Sequence, residues 1–322
     1  GSKMELALDL DRNHQTFTVK VLPILGGILS TLSFVIFLYI ARLDKSQVIL
    51  YFFSALFFML SYWLNRKNDR VILDTLSICL YLLGYGLFAM SFDISRGAPI
   101  ICHLLFVLIA IITLIINRSY ILTFVSVLII TGSLIAIIFD LEIPNLIHVL
   151  MIMIAFLTIY FMLNEAKFLK IRFTEAKRHQ AIRTGLTFSY LLCLYFLGSS
   201  LLSDKNWSIS YVSSATLILL LMWLINDLLT RFHLEEMGKK IFIFSLILVC
   251  LGFTAITPTI AGSLLLLLLS FKINYRTGVA LATMGFIYFT GMFYYDLNIS
   301  LLQKSLIMFT SGVFFILLYF LI

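Results

Sequence analysis

Lys304, in the run Gln303-Lys304-Ser305, is the most unusual residue of the chain. It lies about one and a half helical turns into an apolar stretch that begins near residue 299. A charge inside an apolar span is costly and tends to mark function. Three readings stay open for it. Its four-carbon stem can carry the ammonium back to a lipid headgroup. It can pair with Asp296 or another acid, or it can serve catalysis or transport with Ser305 beside it. Asp296 and Lys304 are eight residues apart. Along one helix that separation is about 12 Å, so an acid from another element suits Lys304 better. Two histidines form the second candidate set. His103 follows Pro99 and His148 follows Pro144, each four residues on. Meeting near Asp93, Asp140 or Glu142, they would suit a metal or a proton relay. Their spacing supplies no ligand cluster, so a hydrogen-bonded histidine near a helix end is the default. No metal, cofactor or catalytic residue is assigned, and whether the protein is an enzyme stays open. The candidate site, for a partner, substrate or lipid, is Asp93, His103, Asp140, His148, Asp296, Lys304 and Ser305.

The elements that must position these residues follow from composition. The 322-residue chain is 61% hydrophobic and only 12% charged, with a mean hydropathy of +1.07. A soluble domain carries about 25% charged residues, so this chain lacks the polar surface to cover a globule. Apolar runs of about 20 residues recur throughout, each long enough for a membrane helix. The breaks between them place spans at about 20–41, 47–64, 71–91, 99–116, 120–139, 144–163, 184–202, 208–228, 277–295 and 299–321. The run 241–271 is uncharged. As one helix it would reach about 46 Å, beyond a hydrocarbon core of about 30 Å, and Pro258 interrupts it. It therefore divides into two short segments, 241–255 and 257–271. The fold class is an all-α polytopic bundle of about twelve spans in six hairpins.

Charge placement orients the bundle. With the N-terminus and the loops at 65–70, 117–119, 164–183, 229–240 and 272–276 on one face, that face collects 18 of the 23 Lys and Arg residues. The remaining five are Arg42, Lys45, Arg96, Lys205 and Lys304. Basic loops stay in the cytoplasm, which gives both termini inside and accounts for the net charge of +7 without nucleic acid. The domain plan is a short cytoplasmic segment (1–18), a six-helix half (19–163), an amphipathic connector (164–183) and a second six-helix half (184–322). In the connector, Leu169, Phe173 and Ala176 fall at helical spacing among basic residues, which reads as a helix lying on anionic lipid.

A repeat runs through the outer turns. Asp44, Asp93, Asp140, Asp204 and Asp296 each stand at the end of a span. Phe92-Asp93-Ile94-Ser95, Phe139-Asp140-Leu141-Glu142 and Tyr295-Asp296-Leu297-Asn298 share the order aromatic, Asp, aliphatic, polar. Asp140–Met153 and Asp296–Phe309 also run in parallel, with His148 opposite Lys304. The unit is one hairpin of roughly 50 residues, and a six-plus-six duplication is a larger possibility. An Asp at such a turn can simply cap the next helix. The functional reading is an acidic rim that holds a cation or a basic partner segment. At the other face, Asp74, Asn164-Glu165 and Asn226-Asp227 anchor helix ends and pair across the bundle. Gly84/Gly86, Gly132/Ser133 and Ser311/Gly312 are places for close helix contact. The four cysteines fall within apolar runs with no ligand spacing, and no nucleotide-binding or protease motif is present.

The ending Tyr294-Tyr295-Asp296-Leu297, Leu301-Leu302-Gln303-Lys304-Ser305 and Gly312 resembles the C-terminal signature of the DUF4401 family of bacterial membrane proteins. Leu301, Leu302, Lys304, Ser305 and Gly312 match, while Gln303 stands where the family more often has Glu. That departure weakens any ionised pair with Lys304. The resemblance implies a multi-pass protein of the bacterial inner membrane, and partners of the DUF2157 type or small membrane-anchored GDYXXLXY proteins, besides lipid. It supplies no reaction. The function expected is an inner-membrane scaffold or assembly subunit binding such a partner at its outer face. The alternative is a secondary transporter or flippase-like carrier for a small molecule or lipid.

Overall fold

The computed structural model describes residues 17–67, 71–94, 98–117, 119–164, 173–199, 207–231 and 258–296, with Leu302, Ser305, Phe309 and Val313 beyond them. Every regular element in these residues is helical: α1 Phe17–Ile40, α2 Gln47–Lys67, α3 Val71–Ile94, α4 Pro99–Ile116, α5 Tyr120–Asp140, α6 Leu146–Leu163, α7 Phe173–Gly198, α8 Trp207–Arg231, α9 Pro258–Lys272 and α10 Arg276–Asp296, with a 3-10 turn at Leu43–Lys45. Eight helices hold stretches long and apolar enough to cross a membrane, while Gly26–Ile40 and Pro258–Lys272 are shorter apolar helices. The protein is thus an all-α, multi-span membrane bundle. Of the segment pair expected within 241–271, the second is α9; the first lies outside the described residues.

Local chemistry sets the helix ends. Pro99 and Pro258 open α4 and α9, where a missing N–H costs nothing. Glu142 and Asn274 close α5 and α9 in left-handed backbone, with φ of 54° and 56°. At Asn274 the closure is complete: its N–H donates to the Phe271 carbonyl at 3.0 Å, and the Tyr275 N–H donates to Ser270 at 2.9 Å. Asparagine takes the place that glycine usually fills in such a stop.

The chain forms two compact units, residues 1–143 with 164–189, and residues 144–163 with 190–322. In the first unit α2 and α3 are antiparallel. Ser91 Oγ donates to the Gln47 carbonyl at 2.9 Å, Ser54 Oγ to Gly84 at 2.8 Å, and Ser61 Oγ to Ser77 at 2.8 Å. Ser77 returns a bond to the Ser61 carbonyl at 2.9 Å. Gly84 lets Phe58 close in, its ring 2.9 Å from where a Cβ would stand, whereas Gly86 and Gly132 have no neighbour there. Of the three glycines in the expected set that the structure describes, Gly84 is such a contact point, while Ser311 and Gly312 lie outside the described residues. Leu38, Leu50, Phe57, Leu80 and Leu87 form an apolar cluster. Tyr81 bridges to Ser126 at 3.0 Å and to Tyr85 at 3.1 Å, all buried. Helix α7 runs parallel to α5, joined by Tyr120–Thr184 at 3.1 Å and Thr131–Ser189 at 2.8 Å.

In the second unit, α9 is antiparallel to α7 and parallel contacts join α7 to α10. Gly198 approaches Thr259 and Met292, Gly262 approaches Leu194 and Tyr190, and Gly285 approaches Leu191. Ten of the fifteen residues of α9 are buried, among them all of Pro258 to Ser263.

Candidate functional site at the helix ends

In the first unit, the C-terminal ends of α3 and α5 and the N-terminal end of α4 carry three of the candidate residues. His103 Nε2 lies 3.5 Å from Asp140 Oδ2, and the two side chains are 26% and 23% exposed. Pro99 starts α4 one turn before His103, and Asp140 is the last residue of α5. That is how two helix ends bring the pair together. Phe106 meets the imidazole edge to face at 6.1 Å. When the imidazole is protonated the contact is an ion pair between partly solvated groups, and otherwise a weak polar contact. Asp93 and Glu142 are exposed at this same end, as are Arg42 and Lys45. The result is a solvated, mixed rim with two unburied acids.

The remaining candidates fall elsewhere. His148 belongs to the second unit, and its Nδ1 lies 2.9 Å from the hydroxyl of buried Ser213 on α8. Each histidine therefore takes its own partner, an acid for one and a hydroxyl for the other. Asp296 ends α10, but its side chain lies outside the described residues, as does Lys304. Ser305 is exposed and its hydroxyl donates to the Leu302 carbonyl at 2.9 Å. Among the described residues no group of three metal-ligating side chains assembles.

The opposite helix ends hold polar groups that the sequence reading placed differently. Asn65 donates to Asn117, whose Oδ1 also accepts the Ser119 N–H at 3.3 Å. Helix α7 begins at Phe173, so residues 173–183 form its first three turns. His179 and Arg183 on those turns are buried, 5% and 6% exposed. They belong to a stripe continued by Thr187, Tyr190 and Leu194, all fully buried. This i, i+4 and i, i+3 spacing was visible in the sequence, where the local charge density hid it. In the second unit Lys272 pairs with Asp227, its side chain 3% exposed against 40% for the acid. Its ammonium also lies 5.8 Å from the Trp223 ring centroid. The sequence points to Asp227 as a helix-end anchor that pairs across the bundle, and to Lys272 as a loop base.

No curated protein and no solved structure matches the chain. The family model DUF4401, a domain of unknown function, matches residues 16–322. With the helical membrane architecture above and the match covering nearly all of its length, the chain belongs to the DUF4401 family.

Proposed function

We propose that the chain is a scaffold or assembly subunit of the bacterial inner membrane that receives a membrane-anchored partner at its outer rim. The observation that carries this reading is the exposure of Asp93 and Glu142 beside the His103–Asp140 pair. Acids left in water at a helix end are available to a basic segment, and steer it without the cost of desolvating a buried charge. Partners of the DUF2157 or GDYXXLXY kind suit this rim, being tethered at the same membrane surface. Photocrosslinking tests the proposal. p-Benzoylphenylalanine in place of Asp93 or Glu142 is expected to give a polypeptide adduct in cells, and in place of Lys177 none of the same mass. Lipid adducts alone, or identical products at all three positions, contradict it.

The orientation proposed with it has both termini in the cytoplasm and twelve spans in six hairpins. The antiparallel register of α2 with α3, and the parallel register of α5 with α7 and of α7 with α10, support alternate crossing. In a variant lacking its native cysteines, Glu142→Cys is expected to react with an impermeant maleimide on intact spheroplasts. Lys177→Cys is expected to react only after permeabilisation, and the reverse pattern overturns the orientation. The second reading, a transporter, rests on α9, a short apolar helix of 15 described residues whose first six are buried.

A further inference from the structure

We propose that the His103–Asp140 contact makes partner binding at the outer rim pH-sensitive, so that a basic segment is held more tightly near neutral pH than in acid. This deepens the rim reading and rests on it, by giving the same acids a regulator. The device is built from two helix ends. Asp140 closes α5 and His103 lies one turn into α4, with Nε2 and Oδ2 3.5 Å apart. The turn after α5 fixes the backbone next to the acid. The Leu141 N–H donates to the Ile137 carbonyl at 2.9 Å and the Glu142 N–H to Phe139 at 3.1 Å, and Glu142 takes the left-handed backbone that ends the helix. On its other side the imidazole meets the Phe106 ring edge to face.

The contact responds to a proton because of its length. An N–H···O bond weakens beyond about 3.2 Å, so a neutral imidazole holds the carboxylate only loosely. An imidazolium at the same place attracts it as an ion pair. Imidazole is the side chain whose ordinary range falls between about pH 5 and 8. Carboxyl, thiol, amine and guanidine groups ordinarily titrate outside that window.

The charged groups around His103 make one proton count. From α5 it meets Asp140, and α3, which also packs on α4, carries Asp93 at its end. Glu142 follows in the turn after α5, Arg42 and Lys45 lie at the same end, and Cys102, next in the chain, is buried. Asp93, Asp140 and Glu142 oppose Arg42 and Lys45, which leaves one net negative charge among the described side chains of this end while the imidazole is neutral. Asp44 and Arg96, whose side chains lie outside the described residues, add one charge of each sign and cancel. Protonation of His103 therefore brings the sum to zero and ties up Asp140 in the same step. The effect is modest in size, because His103 and Asp140 are 26% and 23% exposed and solvated charges couple weakly.

The test uses the full chain in maltoside detergent, at one low ionic strength so that charge is little screened. Tetramethylrhodamine-labelled hexalysine is the probe, and fluorescence anisotropy reads its affinity at about pH 5.5 and about pH 8. The parent is expected to bind about two- to fivefold more tightly at the higher pH. His103→Gln is expected to bind at both pH values as the parent does at the higher one. Asp140→Asn is expected to bind at the higher pH as weakly as the parent does at the lower, since this end then carries the same net charge. A second measurement follows the pair without the probe. In a double-mutant cycle of the same two changes, unfolding in mixed micelles is expected to show coupling at the lower pH that falls away at the higher. The proposal is overturned if His103→Gln keeps the parent's pH response, if Asp140→Asn binds like the parent at the higher pH, or if the coupling is equal at both. Hexalysine that binds at neither pH also overturns it, and the crosslinks from Asp93 and Glu142 then judge the rim reading by themselves. Crosslinks that fail while hexalysine follows the expected pattern count against the rim's partner and support the pH response.

Discussion

Asp227→Asn is expected to destabilise the protein more than Lys272→Met, although the two changes remove the same ion pair. The asymmetry comes from burial. The Lys272 side chain is 3% exposed, so removing Asp227 strands an ammonium where water cannot reach it. Asp227 is 40% exposed, so removing Lys272 leaves a carboxylate that water can solvate. Breaking a fully buried pair from one side costs about 3–5 kcal/mol. Since water reaches the Asp227 side of this pair, about 2–3 kcal/mol is expected for Asp227→Asn. For Lys272→Met about 1 kcal/mol or less is expected, because the remaining acid is solvated and the methionine stem still fills the space. The Trp223 ring partly shelters the ammonium, but a ring face replaces only a fraction of a counter-charge. Detergent-driven unfolding in mixed micelles measures both variants. If Lys272→Met proves the more damaging, burial of the lysine is not what governs the pair.

Gly278→Ala is the second large effect. Gly278 lies in the first turn of α10, directly above the stop that closes α9. A Cβ there would overlap the Tyr275 ring and stand 2.6 Å from Ser270 Oγ. Neither neighbour yields easily. Tyr275 is buried, and its N–H is committed to the Ser270 carbonyl at 2.9 Å. Ser270 is fully buried. Overpacking of this sort costs about 1–3 kcal/mol, and Gly278→Val is expected to cost more than Gly278→Ala. Gly291→Ala in the same helix meets nothing within 4 Å, and is expected to leave the unfolding midpoint unchanged or slightly raised. Equal loss at 278 and 291 would show that helix α10 resists alanine generally, and that the contact with Tyr275 is not the cause.

How far these features were legible in the sequence depends on what each one needs. Helix α4 was read to the residue, because Pro99 opens it and Asn117 closes it, both local signals. Helix α9 was legible from an argument about length and Pro258. The start of α7 was not. Glu175, Lys177, Arg178, His179 and Arg183 lower the hydropathy of residues 173–183, and average hydropathy cannot tell which side of a helix carries the charge. The stripe from His179 to Leu194 has helical spacing, but burying Arg183 and His179 requires the neighbouring helices of the first unit, which an average hydropathy does not register. The rim was half legible. The repeat pointed to acids and histidines at the same level, but register along two separate helices decides that His103 meets Asp140 and His148 meets Ser213. Tyr190 looked like one of fifteen tyrosines; only packing against Gly262 sets it apart.

The contacts between α2 and α3 are spaced by seven residues on both helices: Gln47, Ser54 and Ser61 on one, Ser77, Gly84 and Ser91 on the other. A seam with that step belongs to a left-handed crossing of about 20°. It also works as a ruler. Losing or gaining a single residue between 47 and 61 turns every later hydroxyl by about 100°, away from its carbonyl. Relatives that vary in length here are therefore expected to do so by whole heptads, and swaps among serine, glycine and alanine along the seam are far better tolerated than any frame change.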